Sequence, residues 1–216
     1  MLFDITNLLF ISSFWIGLTH AFEVDHIAAV SNLVDSKSIT KSILSGIKWG
    51  LGHSLIVIIV GLLLILFKVQ VDEEFSHFFE YGVGFMLIIL ALFSLKHTIF
   101  DANSSHEHYI NGQLVSHSHQ LQNRSFLVGI VHGLAGSSSF TLLLIPYIKD
   151  KVDAIWYLGN FAIGSVIGMG IMSSIIAFPL KYTNIKIPNL SKILKISMGL
   201  IGLAVGIGVL IDSFNR

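Results

Sequence analysis

The chain of 216 residues has no cysteine and only three prolines. Without cysteine there are no disulfides, thiolate metal sites, iron–sulfur clusters or thiol shuttling, so any metal must be held by nitrogen and oxygen. Charge is scarce too: 12% of the residues are Asp, Glu, Lys or Arg and the formal net charge is zero, against about 25% charged residues in soluble domains. No basic run is present, so nucleic acid is not an expected partner. Neither G-x4-G-K-[ST] nor H-E-x-x-H occurs, which sets aside Walker-type ATP hydrolysis and zincin-type proteolysis. The segment Met1 to Asn7 carries Asp4 but no lysine or arginine, and no A-x-A-like site follows it, which argues against a cleaved secretory signal.

What the chain has is apolar length. Hydrophobic residues make up 53% of it and the mean hydropathy is +0.78. A helix needs about 20 apolar residues to cross a bilayer. Six stretches qualify, roughly Leu8 to Val30, Ile43 to Phe67, Phe79 to Leu95, Phe126 to Ile148, Ile155 to Leu180 and Leu194 to Ile211. The expected fold is an all-α, polytopic membrane protein, one bundle in the lipid bilayer. Lysine and arginine mark cytoplasmic loops. With both termini outside, Lys37, Lys41, Lys48, Lys96, Arg124, Lys181, Lys186, Lys192 and Lys195 fall inside, while Asp72, Glu73 and Glu74 fall outside. That orientation, in the cell (inner) membrane, is the expected one.

The halves resemble each other. "GLTHAFEVDH" from Gly17 aligns with "GIVHGLAGSS" from Gly129, setting His20 against His132 and Asp25 against Ser137. "LGHSLIVIIVG" from Leu51 matches "AIGSVIGMGIM" from Ala162, and "GFMLIILAL" from Gly84 matches "GLIGLAVGI" from Gly199. Two units of three helices each must insert with opposite topology, which predicts six transmembrane helices as two inverted three-helix repeats. The division expected is residues 1–99, a His-rich cytoplasmic loop at 100–124, and residues 125–216. Gly46/Gly50, Gly164/Gly168 and Gly202/Gly206 have small-xxx-small spacing and are expected to pack helices.

Inside the first span, near its centre, lie His20, Glu23, Asp25 and His26. Each charged group there costs on the order of 2.5–3.5 kcal/mol even on lenient insertion scales. A divalent first-row cation would offset that cost, since imidazole and carboxylate suit nickel, cobalt and zinc. At ~100° per residue a straight helix cannot turn His20, Asp25 and His26 to one ion. The helix must break near Thr19 or His20, or other helices must complete the site. His53, in "WGLGHSLIV", is a candidate ligand with Ser54 beside it, and His132, Ser137 and Ser138 are candidates for lining a path.

The H-x4-D-H arrangement of "HAFEVDH", followed by "LGHS", resembles the signature of the nickel/cobalt permeases of the NicO type. "GLTHAFEVDHIAAVSNLV", "WGLGHS" and "VHGLAGSSS" look most like the UreH-like, urease accessory branch. The resemblance implies transport of Ni2+ or Co2+ as cargo, no resident cofactor and no enzymatic activity. It carries over His20, Asp25, His26 and His53 as essential positions, with Glu23 beside them, and it implies nickel-handling accessory proteins as partners. One departure is that "HGLAGSSSF" stands where classical members have an acidic, Thr-containing motif.

Between the third and fourth spans, "SSHEHYINGQLVSHSHQ" holds two H-x-H pairs around Asn111 and Gly112. Asn-Gly between short alternating segments is a hairpin signal. A turn centred there pairs Ile110 with Gln113 and gathers His106, His108, His117 and His119 into a candidate loop metal site. Two rival functions remain. Efflux fits the same architecture, while a His-box membrane metalloenzyme would need about eight clustered histidines, more than the spans contain.

Overall fold

In the computed structural model the apolar surface is turned outward, as lipid rather than water requires. It describes residues 5–35, 37–67, 73–100, 107–110, 113–116, 125–135, 148 and 150–215. Seven helices are present among them: α1 (Ile5–His20), α2 (Val24–Leu33), α3 (Ile39–Phe67), α4 (Glu73–Phe100), α5 (Ser125–Ala135), α6 (Lys151–Lys186) and α7 (Pro188–Asn215). On α3, Leu44, Leu51, Leu55, Ile59 and Leu63 recur on the exposed side, while Gly46, Trp49, Gly50, His53 and Val57 face inward. Large apolar groups outside, with glycines and a histidine beside Trp49 and Val57 inside, suit a helix that faces lipid on one side.

Four helical stretches are long and apolar enough to cross a membrane: Ile39–Phe67, Glu80–Phe100, Lys151–Lys186 and Pro188–Asn215. The all-α, multi-span expectation holds at that level. Of the six expected spans, one is divided and another is described only in part. Leu8 to Val30 is not one helix: α1 stops at His20 and α2 restarts at Val24. The Thr19 hydroxyl donates to the carbonyls of Trp15 and Ile16 at 2.9 and 3.1 Å. Tight turns follow, from the Phe22 amide to the Thr19 carbonyl (2.9 Å) and from the Glu23 amide to the His20 carbonyl (3.1 Å). Of Phe126 to Ile148, only the part within Ser125–Ala135 is a described helix.

At the other helix ends local chemistry is explicit. Asp150 caps α6 by accepting from the amides of Val152 and Asp153 at 2.7 and 3.2 Å. Pro188 occupies the first position of α7, where its missing N–H costs nothing. A two-stranded antiparallel hairpin, β1 (Glu107–Ile110) with β2 (Gln113–Ser116), pairs Ile110 with Gln113 and His108 with Val115. That is the register expected from Asn111-Gly112.

Packing of the long helices follows one repeating arrangement. A methyl group on Gly17 would overlap the Phe161 carbonyl, and one on Gly164 the Phe14 carbonyl, so α1 lies against α6. In the other half, Gly129 sits on the Trp49 carbonyl and Gly52 on the Phe126 carbonyl, so α5 lies against α3. The correspondences Phe14/Phe126, Gly17/Gly129, Trp49/Phe161 and Gly52/Gly164 share a single spacing. This spacing moves the expected alignment of the second helices by one position, so His53 answers to Ser165 rather than Gly164. Contacts also give direction. α1 runs with α6 (Phe14 to Gly164, Leu18 to Gly168) and α3 with α5, whereas α3 and α6 run oppositely (Gly46 to Ser173, Gly50 to Val166). α4 and α7 are antiparallel through Gly84/Gly206, Ala91/Gly202 and Leu95/Gly199. All six glycines of the small-xxx-small pairs meet a neighbouring helix, as expected.

Candidate metal centre

The break between α1 and α2 places ionisable groups where the two inner helices α3 and α5 also converge. His20 ends α1, Asp25 and His26 lie in the first turn of α2, His53 projects from α3 and His132 from α5. All four histidines are buried, His53 and His132 completely. This resolves the angular problem of the first span, because the turn through Ala21, Phe22 and Glu23 swings His26 back onto His20. Their ring centres are 4.4 Å apart, and those of His26 and His132 are 4.2 Å apart.

Two carboxylates fix how these imidazoles present themselves. His20 donates from Nδ1 to Glu23 Oε1 at 2.9 Å. Asp25 accepts with both oxygens, from His26 Nδ1 at 3.1 Å and from His132 Nε2 at 3.0 Å. A neutral imidazole that donates from one nitrogen offers a lone pair on the other. Those other atoms are conspicuous. His20 Nε2 stands 3.3 Å from His53 Nε2. Buried His26 Nε2, His53 Nδ1 and His132 Nδ1 have no hydrogen-bond partner among the described residues. A carboxylate behind an imidazole whose far nitrogen is bare is the support a metal-ligating histidine ordinarily has.

Two sets of three have ligand atoms mutually within 4.8 Å: His20, His26 and His53, and Asp25, His26 and His132. Nitrogen and carboxylate oxygen are suitable donors for Ni2+, Co2+ or Zn2+, so the buried cluster can coordinate a divalent ion.

Around this cluster lie aromatic groups that the sequence did not single out. Trp49 is fully buried, its ring 5.3 Å from His26 and 5.4 Å from His132, with its indole N–H unpartnered among the described residues. Phe161 packs on His20 at 5.4 Å. Beside Trp49 a crevice too narrow for a water molecule is lined by Ser42, Ser45, Gly46 and Ser173 with Val30 and Leu33. Ser45 shares a 2.6 Å hydrogen bond with Ser125 at the start of α5.

Other expected residues stand apart. Ser54 donates to the Ala162 carbonyl at 3.2 Å and ties α3 to α6 rather than joining the cluster. Ser137, Ser138, His106, His117 and His119 lie outside the described residues, and of His108 only its strand position is described.

A family model described as "High-affinity nickel-transport protein" (NicO) matches residues 7–100. Urease accessory protein UreH of Bacillus sp. (strain TB-90) is 34% identical over 170 residues, which cover 77% of this chain and 75% of that protein. Chloroplast protein FOR GROWTH AND FERTILITY 2 of Arabidopsis thaliana is 25% identical over 94% of this chain, though the match spans only 56% of that protein. A high-affinity nickel transport protein of Cupriavidus necator is 29% identical over 87 residues, 38% of this chain and 25% of its own length. No solved structure matches. His20, Glu23, Asp25, His26 and His53 thus all sit in the part of the chain that the family model spans, and the chain belongs to the NicO family, in company with UreH.

Proposed function

We propose that the protein is a secondary carrier that takes up Ni2+ or Co2+ across the cell membrane, with His20, Asp25, His26, His53 and His132 as the intramembrane ion site and Glu23 holding His20. The observation that carries this reading is the set of buried ring nitrogens without partners, oriented by carboxylates at a helix break. Discontinuous helices near the midplane are where transporters of this type build ion sites. The printed names of its relatives, a urease accessory protein and a high-affinity nickel transport protein, support nickel as cargo. They also support nickel-handling proteins as partners on the cytoplasmic side.

The carrier operates as six crossings in two inverted three-helix repeats, residues 1–99 and 125–216, with both termini outside. Support comes from the constant spacing between the Gly17/Phe161 and Gly129/Trp49 contacts and from the parallel and antiparallel directions of the paired helices. Ser137 and Ser138 extend the path. His106, His108, His117 and His119 on the loop at 100–124 receive the ion at low affinity. A membrane potential assists uptake, since a divalent ion gains roughly 4.6 kcal/mol per 100 mV, from about 2.3 per charge.

The test is accumulation of radioactive nickel at trace concentration in cells expressing the protein or His26→Ala, with excess cobalt, zinc and magnesium as competitors. The expected result is uptake that the variant loses and that cobalt suppresses more than magnesium. Accumulation below that of empty cells would establish efflux instead, and equal counts in all three would end the metal-transport reading.

A further inference from the structure

The five ligand candidates do not close around one point. A first-row ion holds nitrogen ligands at about 2.0–2.1 Å, so two ligands of one ion are never more than about 4.2 Å apart. Within the 4.8 Å limit the side chains fall into two triads, and His53 belongs to one while Asp25 and His132 belong to the other. Only His26 is common to both.

His26 is built for that double membership. Its Nδ1 faces Asp25 at 3.1 Å, on the carboxylate side, while its buried Nε2 has no partner among the described residues and is left for the other side. Its ring lies between neighbours in both directions, 4.4 Å from His20 and 4.2 Å from His132.

The triads also differ in their aromatic neighbours, although His53 and His132 stand at one level, Gly133 lying on the His53 backbone. His20 packs on Phe161, whose carbonyl meets Gly17 of α1, at one end of the cluster. At the other end His132 packs on Trp49, which lines the serine crevice. On α3, Trp49 precedes His53 by four residues, ~6 Å of helical rise. The crevice continues toward Ser42, which holds the turn at Asp35 through bonds of 3.0 and 3.1 Å, beside Lys37 and Lys41.

We propose that the ion occupies two successive stations that share His26: a three-imidazole station (His20, His26, His53) and then a carboxylate station (Asp25, His26, His132) next to Trp49. This rests on the carrier reading above and adds to it a division of the site and an order. A neutral imidazole has one lone pair, so His26 serves one station at a time. Two dications flanking a single buried ring would also repel strongly. Occupancy is therefore exclusive, one ion per chain. Handover exchanges His20 and His53 for Asp25 and His132 and passes the ion from Nε2 to Nδ1 of His26; one proton leaves Nδ1 and one is taken up at Nε2, so the ring stays neutral as the carboxylate enters.

The test uses purified full-length protein in lipid nanodiscs titrated with Co2+, read by its visible ligand-field absorption, and the same proteins in proteoliposomes for transport. The parent is expected to saturate at one equivalent. His132→Ala is expected to keep one equivalent with a three-imidazole spectrum. His53→Ala is expected to keep one with the carboxylate-station spectrum, and His26→Ala to lose binding at both. Both single-station variants are expected to transport at least ~10-fold more slowly. Retained Co2+ binding doubles as the folding control. Transport by His132→Ala at the parent rate, equal loss of binding in His132→Ala and His53→Ala, or two equivalents bound by the parent would each overturn the two-station inference and leave the carrier reading standing. A parent that binds neither Co2+ nor Ni2+ would remove the carrier reading itself.

Discussion

Glu23 is the exposed member of the cluster, its side chain 56% accessible, yet it accepts the hydrogen bond that fixes His20 with Nε2 turned to His53. It follows α1 in extended backbone and makes no side-chain cap to α2, so its contact with His20 is the one that the structure gives it. Glu23→Gln keeps the shape but gives a weaker, neutral acceptor. Losses of 10–100-fold in metal affinity are usual for such a change, so a ~10-fold rise in the nickel concentration for half-maximal uptake is expected. Thermal stability should be nearly unchanged, since the group is exposed; unaltered uptake would relieve Glu23 of this role. His20, Asp25, His26 and His53 were legible in the sequence because an ionisable side chain in an apolar run needs an explanation. Trp49 and Phe161 were not, because an aromatic residue in such a run carries no signal until a histidine is seen against its ring. Ser54 stands differently. A hydroxyl next to a ligand candidate reads as a site residue; one residue on from His53, about 100° around α3, it donates to the Ala162 carbonyl.

At the level of the helices, glycine decides which faces meet. Gly17, Gly52, Gly129 and Gly164 each lie on a carbonyl of the opposite half, while a methyl group on Gly82, Gly159 or Gly208 would meet nothing within 4 Å among the described residues. Alanine at Gly129 or Gly164 must push two backbones apart, and overpacking of this kind costs about 1–3 kcal/mol. At Gly82, Gly159 or Gly208 the better helix propensity of alanine should instead add about 0.5–1 kcal/mol. Melting temperatures in detergent should therefore fall in the first set and hold or rise in the second; equal behaviour would detach the glycines from helix approach. Sequence patterns located these helices well, since apolar length is a local property. Two things escaped them. The charge spacing asks for a break near Thr19 or His20, or for help from other helices, but apolar length does not show it; the stop at His20 depends on the Thr19 hydroxyl and the tight turns after it, which apolar residues from Ile27 onward conceal. The exact match between halves depends on contacts, because glycine-rich helices align almost as well one residue out of register.

For the whole molecule the order of the two stations acquires a direction only from the orientation in the membrane. In the proposed orientation Lys37 and Lys41 put the turn between α2 and α3 inside, and the parallel run of α1 with α6 then puts Asp150, at the start of α6, outside. The chain has no cysteine, so a single introduced one reports without background. Both positions are exposed in the structure. In intact cells a membrane-impermeant maleimide should label Asp150→Cys and should reach Lys37→Cys only after permeabilisation. With that result the His20 end of the cluster, where α1 arrives, faces the medium, and Trp49 with its serine crevice faces the cytoplasm. An incoming ion then meets three neutral imidazoles first and the carboxylate last, and the inward-negative potential acts along the same route. The reverse labelling would invert the route. The same two stations would then collect ions from the cytoplasm at the carboxylate and release them outward past His20, and the carrier would have the architecture of an exporter.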